Sequence, residues 1–529
     1  MASVFSFDEK PLVALLDDFG LTIAWSSILK AHLMEQSESL HYILDNQFFE
    51  GAKHLEKNIL SALSIGEIGV LYEFSVAHVD RADRKTNGQF FTPDDVAGFM
   101  VKQASEFPKG KWLDPCSGIG NLAWHLINSM PNREKFLIES IVLSDRDSLA
   151  LQIARVLFAV SFQNKNLNLY NDIENNFVVF DFLSVADDGG NHLFSNSNLY
   201  KIPEHDFVIV NPPYRSLSEE DPKFETAKTK DLYAYFLENI LKTSTGFVSI
   251  TPQSFTNARK FSTLRSLLIE RYPDLKVFNF DNIPGNIFYG VKFGSDNTNK
   301  ANSIRVAITV AKQGQKRHRI TSLLRWKTSE RSSMFEGVEH FLAEIDLTED
   351  YFPKVSSIFK DLYDEISGLP ALGRLLTSKP TEFVLFVPSA PRYFISALKT
   401  SVSRASMKTL YFKTEQDLNL AYLVLNSSFM YWWWRVRDGG MTLSLETIRS
   451  LPVPNFKVSK TLVLELEESE GTNKVYKKNA GFFQENVKHP HALLEEINKV
   501  IVPNYWEKIS STHQNSDLPQ LKYLPQPNF

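Results

Sequence analysis

The segment most informative about the fold is Lys111–Leu126, KWLDPCSGIGNLAWHL. A short apolar strand ends at Asp114, a loop with Gly118 and Gly120 follows, and an amphipathic helix begins directly after the loop. Glycines in such a loop let the backbone turn sharply and approach a ligand at the carboxyl end of a strand. The acid disfavours pyrophosphate and favours a cationic group such as an ammonium or sulfonium. A tight strand-to-helix turn without a ligand is the alternative.

Similar strand-like runs recur between about Lys85 and Lys312. Runs rich in Val, Ile and Phe alternate there with helix-length segments, and the runs are KWLDP, SIVLSD, NFVVFDF, DFVIVNPP, GFVSITP, LKVFNF and SIRVAITVA. This alternation predicts βαβ units and a mostly parallel sheet with helices on both faces. The last two runs are separated by a loop rich in glycine, asparagine and serine, so we expect a final antiparallel pair.

The segments on either side of this α/β region have a different character. Between Lys10 and Arg84 the apolar residues recur at helical spacing, which predicts a helical region. After Ser329 the alternation of strands and helices is lost. We therefore divide the chain into a helical N-terminal region (1–84), an α/β domain (85–330) and a C-terminal α+β domain with a flexible tail (331–529).

Composition limits the classes of protein that the sequence can encode. The formal net charge of the 529 residues is −5, so a basic surface for a polyanion would have to be local. The single cysteine, Cys116, excludes an intramolecular disulfide and a cysteine-rich zinc site, and we expect no metal. The N-terminus lacks the pattern of a signal peptide, and no run reaches about 18 uninterrupted apolar residues. We expect a cytoplasmic protein without a membrane span.

Two further predicted strands end in an acid. A carboxylate at Asp145 can accept two hydrogen bonds from a ribose diol. An acceptor at Asp181 followed by the ring of Phe182 suits an adenine base, one for its amine and one for its face. Asp147 has the position of a cap for a helix that starts near Ser148. Each acid alone is more often a cap or loop residue, but three successive strand ends with Asp favour a nucleoside site.

The fourth strand end carries Asn211, Pro212, Pro213 and Tyr214. Prolines fix the backbone and remove N–H donors, which leaves carbonyl oxygens as acceptors. An asparagine oxygen and a proline carbonyl can accept both hydrogens of an exocyclic amine, while the tyrosine offers a face for the ring. Two fixed acceptors favour the tetrahedral nitrogen that forms when such an amine attacks. A proline-stiffened turn is the alternative for an isolated Pro-Pro pair.

The order of GQFFTP (88–93), DPCSGIGN, SDRD, DF and NPPY resembles the gamma-type amino-methylating DNA methyltransferases of restriction–modification systems. The resemblance covers about Ile65 to Lys312, and the rest of the chain more loosely. It implies a Rossmann-like class I S-adenosylmethionine-dependent methyltransferase sheet, with a C-terminal target recognition domain. The implied reaction is methyl transfer to the N6 amine of a flipped adenine in double-stranded DNA.

The resemblance also implies which residues hold the cofactor. Thr92 would hold the carboxylate of S-adenosylmethionine, and the strand-end acid with the glycine loop would surround its methionine part. The remaining acids would bind the ribose and the adenine amine. The implied cofactor residues are Thr92, Asp114, Gly118, Gly120, Asp145, Asp181 and Phe182.

The target base would lie against a second set of residues. These are Asn211, Pro212, Pro213 and Tyr214, together with Phe288, which would pack on the extruded base. Tyr289 competes with Phe288 for that role. Extrusion is needed because an amine inside a duplex cannot reach a buried methyl donor.

The C-terminal region offers candidate DNA contacts. Arg392, Arg404, Lys408 and Lys413 are interleaved with aromatics and no acid, which favours phosphate contacts. The segment around Trp432–Trp434 resembles one that recurs in target recognition domains, and we expect at least two of these tryptophans to be core residues.

Several alternatives stay open. Related cytosine N4 enzymes often have Ser in place of Asn211, so the asparagine favours adenine. Protein glutamine methyltransferases share the Asn-Pro-Pro-Tyr motif but are normally shorter, and a non-catalytic binding protein would not need the intact acids. No Asp…Glu-x-Lys nuclease cluster precedes the methyltransferase motifs. We therefore expect a stand-alone, monomeric modification enzyme, with any restriction endonuclease encoded separately.

Overall fold

The computed structural model describes residues 7–79, 92–184, 202–288, 292–293, 296–297, 304–391, 393–404, 406–438, 442–479 and 482–524. The chain divides into two compact units, one of residues 1–318 with 348–350, the other of residues 319–347 with 351–529. The division at residues 84 and 330 that the sequence predicts remains a prediction about functional domains.

The first unit contains nine helices and nine strands among its described residues. The helices are α1 (Lys10–Met34), α2 (Ile65–Val79), α3 (Asp94–Ala104), α4 (Asn121–Asn128), α5 (Arg133–Glu139), α6 (Ser148–Phe162), α7 (Leu169–Asp172), α8 (Leu232–Thr243) and α9 (Ser262–Arg271). The strands are β1 (Trp112–Asp114), β2 (Ile141–Asp145), β3 (Phe177–Val179), β4 (Phe207–Val210), β5 (Gly246–Pro252), β6 (Asp274–Phe280), β7 (Lys292–Phe293), β8 (Asp296–Asn297) and β9 (Val306–Lys312).

Seven of these strands lie side by side in the central sheet, in the order β3-β2-β1-β4-β5-β9-β6. The strands from β3 to β5 are parallel, and β9 is antiparallel to both β5 and β6. All four residues of β4 are buried. Because successive side chains of a strand point to opposite faces, both faces of β4 are covered. The structure therefore confirms the predicted mostly parallel sheet and its final antiparallel pair.

The N-terminal helices pack with α6 in one apolar core. Trp25 of α1 and Tyr72 of α2 meet edge to face, with ring centroids 5.4 Å apart. Asp147 caps α6 by accepting from the N–H groups of Leu149 and Ala150, as predicted. The hydroxyl of Tyr72 donates to the other oxygen of Asp147 at 2.5 Å, which ties α2 to the start of α6.

Helix α1 is long and apolar enough to cross a membrane, and no other helix in the described part of the chain passes that test. Length and composition are weak evidence, because the core helix of a folded domain has the same properties. Gly20 interrupts α1 with φ 74° and ψ 174°. Trp25, Ile28 and Leu29 are fully buried within the core of the unit, as expected for a core helix.

The second unit is mainly helical with small antiparallel sheets. Its strands are β10 (Arg317–Leu324), β11 (Ala343–Glu344), β12 (Leu376–Thr377), β13 (Val384–Pro388), β14 (Met407–Phe412), β15 (Lys474–Asn479) and β16 (Phe482–Val487). Its helices are α10 (Arg331–Gly337), α11 (Lys360–Ile366), α12 (Glu415–Asn426), α13 (Ser428–Arg437), α14 (Leu445–Arg449), α15 (Lys460–Thr472), α16 (His491–Ile501) and α17 (Trp506–Ser510). Trp432, Trp433 and Trp434 of α13 are all buried, so the predicted core packing is confirmed.

Candidate active site

Asp114 is the last residue of β1 and lies at the carboxyl edge of the sheet, where it is 1% exposed. The backbone N–H of Cys116 donates to its carboxylate. The Oδ1 atom, also buried, accepts no hydrogen bond from any residue that the structure describes. Burial raises the pKa of Asp114 well above its usual range, and the nearby Asp145 raises it further. A cationic group bound here would offset both effects and supply the missing partner.

The two glycines of the loop after β1 differ in their surroundings. Gly118 has φ 53°, and a Cβ atom built on it would meet no described atom within 4 Å. Gly120 has φ 85°, but a Cβ there would lie 2.7 Å from the ring of Phe158 and 2.8 Å from Leu143. Gly120 is thus required by packing, whereas Gly118 borders open space. Asp114 at the start of this loop has a buried oxygen that accepts no hydrogen bond from the described residues, and Gly118 within the loop borders open space, and both features fit the predicted cofactor.

Asp145 at the end of β2 shapes that loop. Its Oδ2 accepts from the N–H of Gly118 at 2.8 Å, and its Oδ1 accepts from the N–H of Asp147 at 2.9 Å. Burial is the main reason that its pKa is raised. A carboxylate oxygen has two lone pairs, so these bonds leave acceptor capacity for a ribose diol.

Asp181 and Phe182 lie apart from the arrangement that the sequence predicted. Strand β3 ends at Val179, so both residues follow the strand instead of ending it. The side chain of Asp181 is 43% exposed, and its Oδ2 lies 3.8 Å from Arg146 Nη1. Phe182 is 1% exposed and stacks on Phe236, with ring centroids 5.6 Å apart. Phe182 is therefore a core residue, while Asp181 remains accessible to a ligand.

Thr92 links the cofactor region to the acceptor motif. Its side-chain Oγ1 accepts from Asn211 Nδ2 at 3.0 Å. Its backbone carbonyl accepts from Asn121 Nδ2 at 2.7 Å. Thr92 and Asn121 are each 4% exposed. Sequence reasoning missed Asn121, although it directly follows the glycine loop, because its partner lies 29 residues away along the chain.

Asn211 to Tyr214 follow β4 at the same edge of the sheet. Pro212 is buried, whereas Asn211, Pro213 and Tyr214 are partly exposed. The thiol of Cys116 donates to the backbone carbonyl of Asn211 at 3.3 Å, so the glycine loop and the acceptor motif are in direct contact. No local sequence pattern predicts this contact, which joins residues 95 positions apart.

The ring of Tyr214 is fixed by its surroundings. Its hydroxyl donates to the carbonyl of Ile250 at 2.9 Å. The rings of Tyr233 and Phe288 meet it edge to face, with centroids 6.4 and 6.1 Å away. Burial raises the pKa of Tyr214 well above its usual range, so the hydroxyl stays protonated. Phe288 is 3% exposed and lies beside the acceptor motif, whereas Tyr289 lies outside the described residues.

The four basic residues predicted to contact phosphate do not share one environment. Arg404 is half-buried, donates to Asn486 Oδ1 and to the carbonyl of Ala390, and has a pKa lowered by burial. Lys408 lies in β14, half-buried, with its pKa lowered by burial, and Lys413 follows β14 and is exposed. Arg392 lies outside the described residues. Of the three described, Lys413 is the most accessible to a ligand.

Residues 139–288 match the family model described as Eco57I restriction-modification methylase. The matched segment contains β2 to β6 and the whole of the Asn211–Tyr214 motif. This part of the chain is therefore similar to restriction-modification methylases. Comparison with curated proteins gives no match.

Three solved structures illustrate the structural similarities. The DrdV–DNA complex has a TM-score of 0.43 and 14% identity, over 71% of this chain and 43% of that chain. The ATP-dependent Type ISP restriction-modification enzyme LlaBIII bound to DNA has a TM-score of 0.43 and 13% identity, over 90% of this chain and 36% of that chain. A class I S-adenosylmethionine-dependent methyltransferase from Listeria monocytogenes has a TM-score of 0.33 and 15% identity, over 57% and 84% of the two chains.

The chain spans less than half the length of the first two of these proteins, 43% and 36%. At these identities and TM-scores the three similarities carry no argument about activity or substrate. The open sheet, the site at its carboxyl edge and the family match lie in the same part of the chain. The first unit thus contains a segment similar to restriction-modification methylases, on a mostly parallel α/β sheet.

Proposed function

We propose that the protein is a DNA methyltransferase that transfers a methyl group from S-adenosylmethionine to the N6 amine of a flipped adenine in double-stranded DNA. The observation that carries the proposal is the contact between the two halves of the site. Asn211 bonds to Thr92 on one side and to Cys116 on the other, and both of these residues belong to the predicted cofactor region. The amine that accepts the methyl group and the cofactor that donates it must lie next to each other at such a junction.

The cofactor would occupy the space beside Gly118. When bound, S-adenosylmethionine supplies an electrophilic methyl group on a positively charged sulfur. Asp114 would face a cationic part of this molecule, and Asp145 would accept from its ribose hydroxyls. The hydroxyl of Thr92 accepts from Asn211 and still has its own hydrogen to donate to the cofactor carboxylate. The exposed Asp181 would accept from the adenine amine.

The target amine would lie against Asn211. Asn211 Nδ2 donates to the hydroxyl oxygen of Thr92, so in this arrangement the amide oxygen is not the end that faces Thr92. The Oδ1 end and a proline carbonyl would then accept from the two amine hydrogens. These acceptors stabilise the positive charge that develops on the nitrogen during attack, and the extra proton leaves to solvent afterwards.

Extrusion of the adenine costs a few kcal/mol, and stacking on an aromatic ring offsets part of that cost. The ring of Tyr214 is held by Ile250 and two neighbouring rings, so no further ordering is needed when a base stacks on it. Phe288 would pack against the same base. The protein would act in the cytoplasm as the modification component of a restriction–modification system, with a separately encoded endonuclease and the second unit reading the DNA.

The test is to express the chain in a host that lacks DNA methylation and to read modified bases directly from native genomic DNA. We expect N6-methyladenine at one short motif, and none with Asn211→Ala, whose turnover should fall about 100-fold or more. Cofactor affinity and thermal unfolding of that variant should match the wild type, since Asn211 is partly exposed. Modified cytosine would overturn the base assignment, and unmodified DNA would favour the glutamine or non-catalytic alternatives.

A further inference from the structure

A two-stranded ribbon in the second unit has no role in the site described above. Strands β15 and β16 pair antiparallel from Lys474↔Val487 to Asn479↔Phe482, and neither strand joins a larger sheet in the described part of the chain. A free two-stranded hairpin is only marginally stable in water, so this ribbon needs support from the rest of the unit.

The base of the ribbon has that support. The N–H of Glu485 donates to the carbonyl of Ser403 at 2.9 Å, and the hydroxyl of Ser396 donates to the carbonyl of Val487 at 2.6 Å. Arg404 donates to Asn486. Arg404 was predicted to contact phosphate, but in the structure it holds the base of the ribbon.

The outer part of the ribbon presents two exposed aromatic rings and a cation on one face. Lys478 is paired with Phe483 and Tyr476 with Glu485, and residues two apart on a strand share a face. Tyr476 is 63% exposed and Phe483 is 69% exposed, and Lys478 is also exposed. Glu485, the acid on this face, bonds to Lys474 at 2.9 Å and is thereby neutralised.

The charge of the ribbon differs from that of the whole chain. Between Lys474 and Lys488 the sequence has four lysines and one acid, whereas the whole chain has a net charge of −5. Lysine-rich edges also stop free strands from pairing with other chains, but that role needs no exposed aromatic rings. Lysine is depleted in protein–protein interfaces and common at phosphate contacts. A polyanion with flat apolar groups is the partner that fits both the lysines and the rings.

We propose that the β15–β16 ribbon is a DNA-binding element, which inserts into a groove of the duplex with Tyr476 and Phe483 against bases or sugars and Lys478 against phosphate. The major groove, about 12 Å wide, admits a two-stranded ribbon. This inference rests on the proposed function, in which the partner is duplex DNA, and adds the element that contacts it.

The experiment measures binding of the full chain to a labelled short duplex by fluorescence anisotropy, across a series of salt concentrations. The duplex carries the motif found in the genomic readout, or mixed sequence if none is found. We expect the double variant Tyr476→Ala/Phe483→Ala to raise Kd on the order of tenfold. Lys478→Gln should lower the slope of log Kd against log salt by about 0.9, the value for one phosphate contact.

Leu464→Ala and Lys460→Gln are the matched controls, because both residues are exposed on α15, outside the ribbon. They should leave Kd and the salt slope unchanged. All variants should keep the thermal transition and the cofactor affinity of the wild type, which separates lost contacts from lost folding.

Wild-type Kd and salt slope in the ribbon variants would overturn the inference. The inference would also be overturned if the double variant changed the oligomeric state but not Kd, because the rings would then contact another copy of the chain. If binding depended on the ribbon but no DNA were methylated, the proposed activity would be overturned and the ribbon would remain a DNA contact. If the DNA were methylated but binding did not depend on the ribbon, the proposed activity would stand and the ribbon would not be a DNA contact.

Discussion

The two glycines of the loop after β1 should respond differently to the same substitution. Gly118 and Gly120 both have positive φ, so alanine at either position costs about 1–2 kcal/mol of folding free energy. At Gly120 the new Cβ would also lie 2.7 Å from Phe158 and 2.8 Å from Leu143, both in the core. Overpacking of this kind costs about 1–3 kcal/mol. Gly120→Ala should therefore lose about 2–5 kcal/mol in total, and Gly118→Ala only the conformational part.

Cofactor binding should show the opposite order. A methyl group on Gly118 would project into the open space at the loop, which we assign to S-adenosylmethionine. It should weaken binding about tenfold or more, as expected for a clash in a fitted site. A methyl group on Gly120 points into the core, so the folded fraction of that variant should bind the cofactor more nearly as the wild type does.

Urea unfolding and isothermal titration with S-adenosylmethionine measure the two effects separately. Each affinity is corrected for the fraction of folded protein at the titration temperature. If Gly118→Ala bound the cofactor as tightly as the wild type, the space beside the loop would not be the cofactor-binding site. Equal losses of stability in the two variants would contradict the packing argument for Gly120.

Two further predictions concern single side chains. Thr92→Val removes the hydroxyl that accepts from Asn211 and that we assign to the cofactor carboxylate, so it should weaken cofactor binding and also lower turnover about tenfold at saturating cofactor. Thr92→Ser keeps the hydroxyl and should retain activity. Single-turnover kinetics at saturating cofactor test this, and equal rates for the two variants would remove Thr92 from its role at Asn211. Burial raises the pKa of Glu73 to about 8 from a usual value of 4.5. The folded protein therefore binds a proton that the unfolded chain loses, so the contribution of Glu73 to stability is complete below pH 4.5 and is lost as the pH rises through about 8. Glu73→Gln should be more stable than the wild type above that pH, on the order of 5 kcal/mol at about 1.4 kcal/mol for each pH unit between 4.5 and 8, and urea unfolding at several pH values measures it. Parallel pH profiles for the two proteins would show that Glu73 is solvated.

The sequence predicted the sheet, and the position of several candidate site residues at its edge, because both depend on local patterns. Apolar runs of strand length, acids at strand ends and a cap at Asp147 are readable over a few residues. Strand ends meet at one edge of a parallel sheet, so Asp114, Asp145 and Asn211 could be placed together without coordinates.

The parts that sequence reasoning missed depend on contacts between distant residues. Strand β3 ends two residues before Asp181, and Phe182 stacks on Phe236 of α8, so its ring is a core ring. Arg404 is bonded to Asn486, 82 positions away, and no local pattern distinguishes such an arginine from one that binds phosphate. Asn121 could have been singled out, because it is a buried polar residue directly after the glycine loop, but its partner could not.

The buried acids of the site cost folding free energy unless the groups that complement them are also present. Burial raises the pKa of both Asp114 and Asp145, and the nearby Asp145 carboxylate further disfavours a charge on Asp114. A core that served stability alone would not hold two such acids, since apolar side chains of similar volume would cost less. A positively charged ligand removes this cost. The free energy of ligand binding is then coupled to the ordering of the glycine loop after β1. Because the same loop contacts Asn211 through Cys116, an ordered loop also orders the acceptor motif. Cofactor binding should therefore precede, and favour, capture of the base.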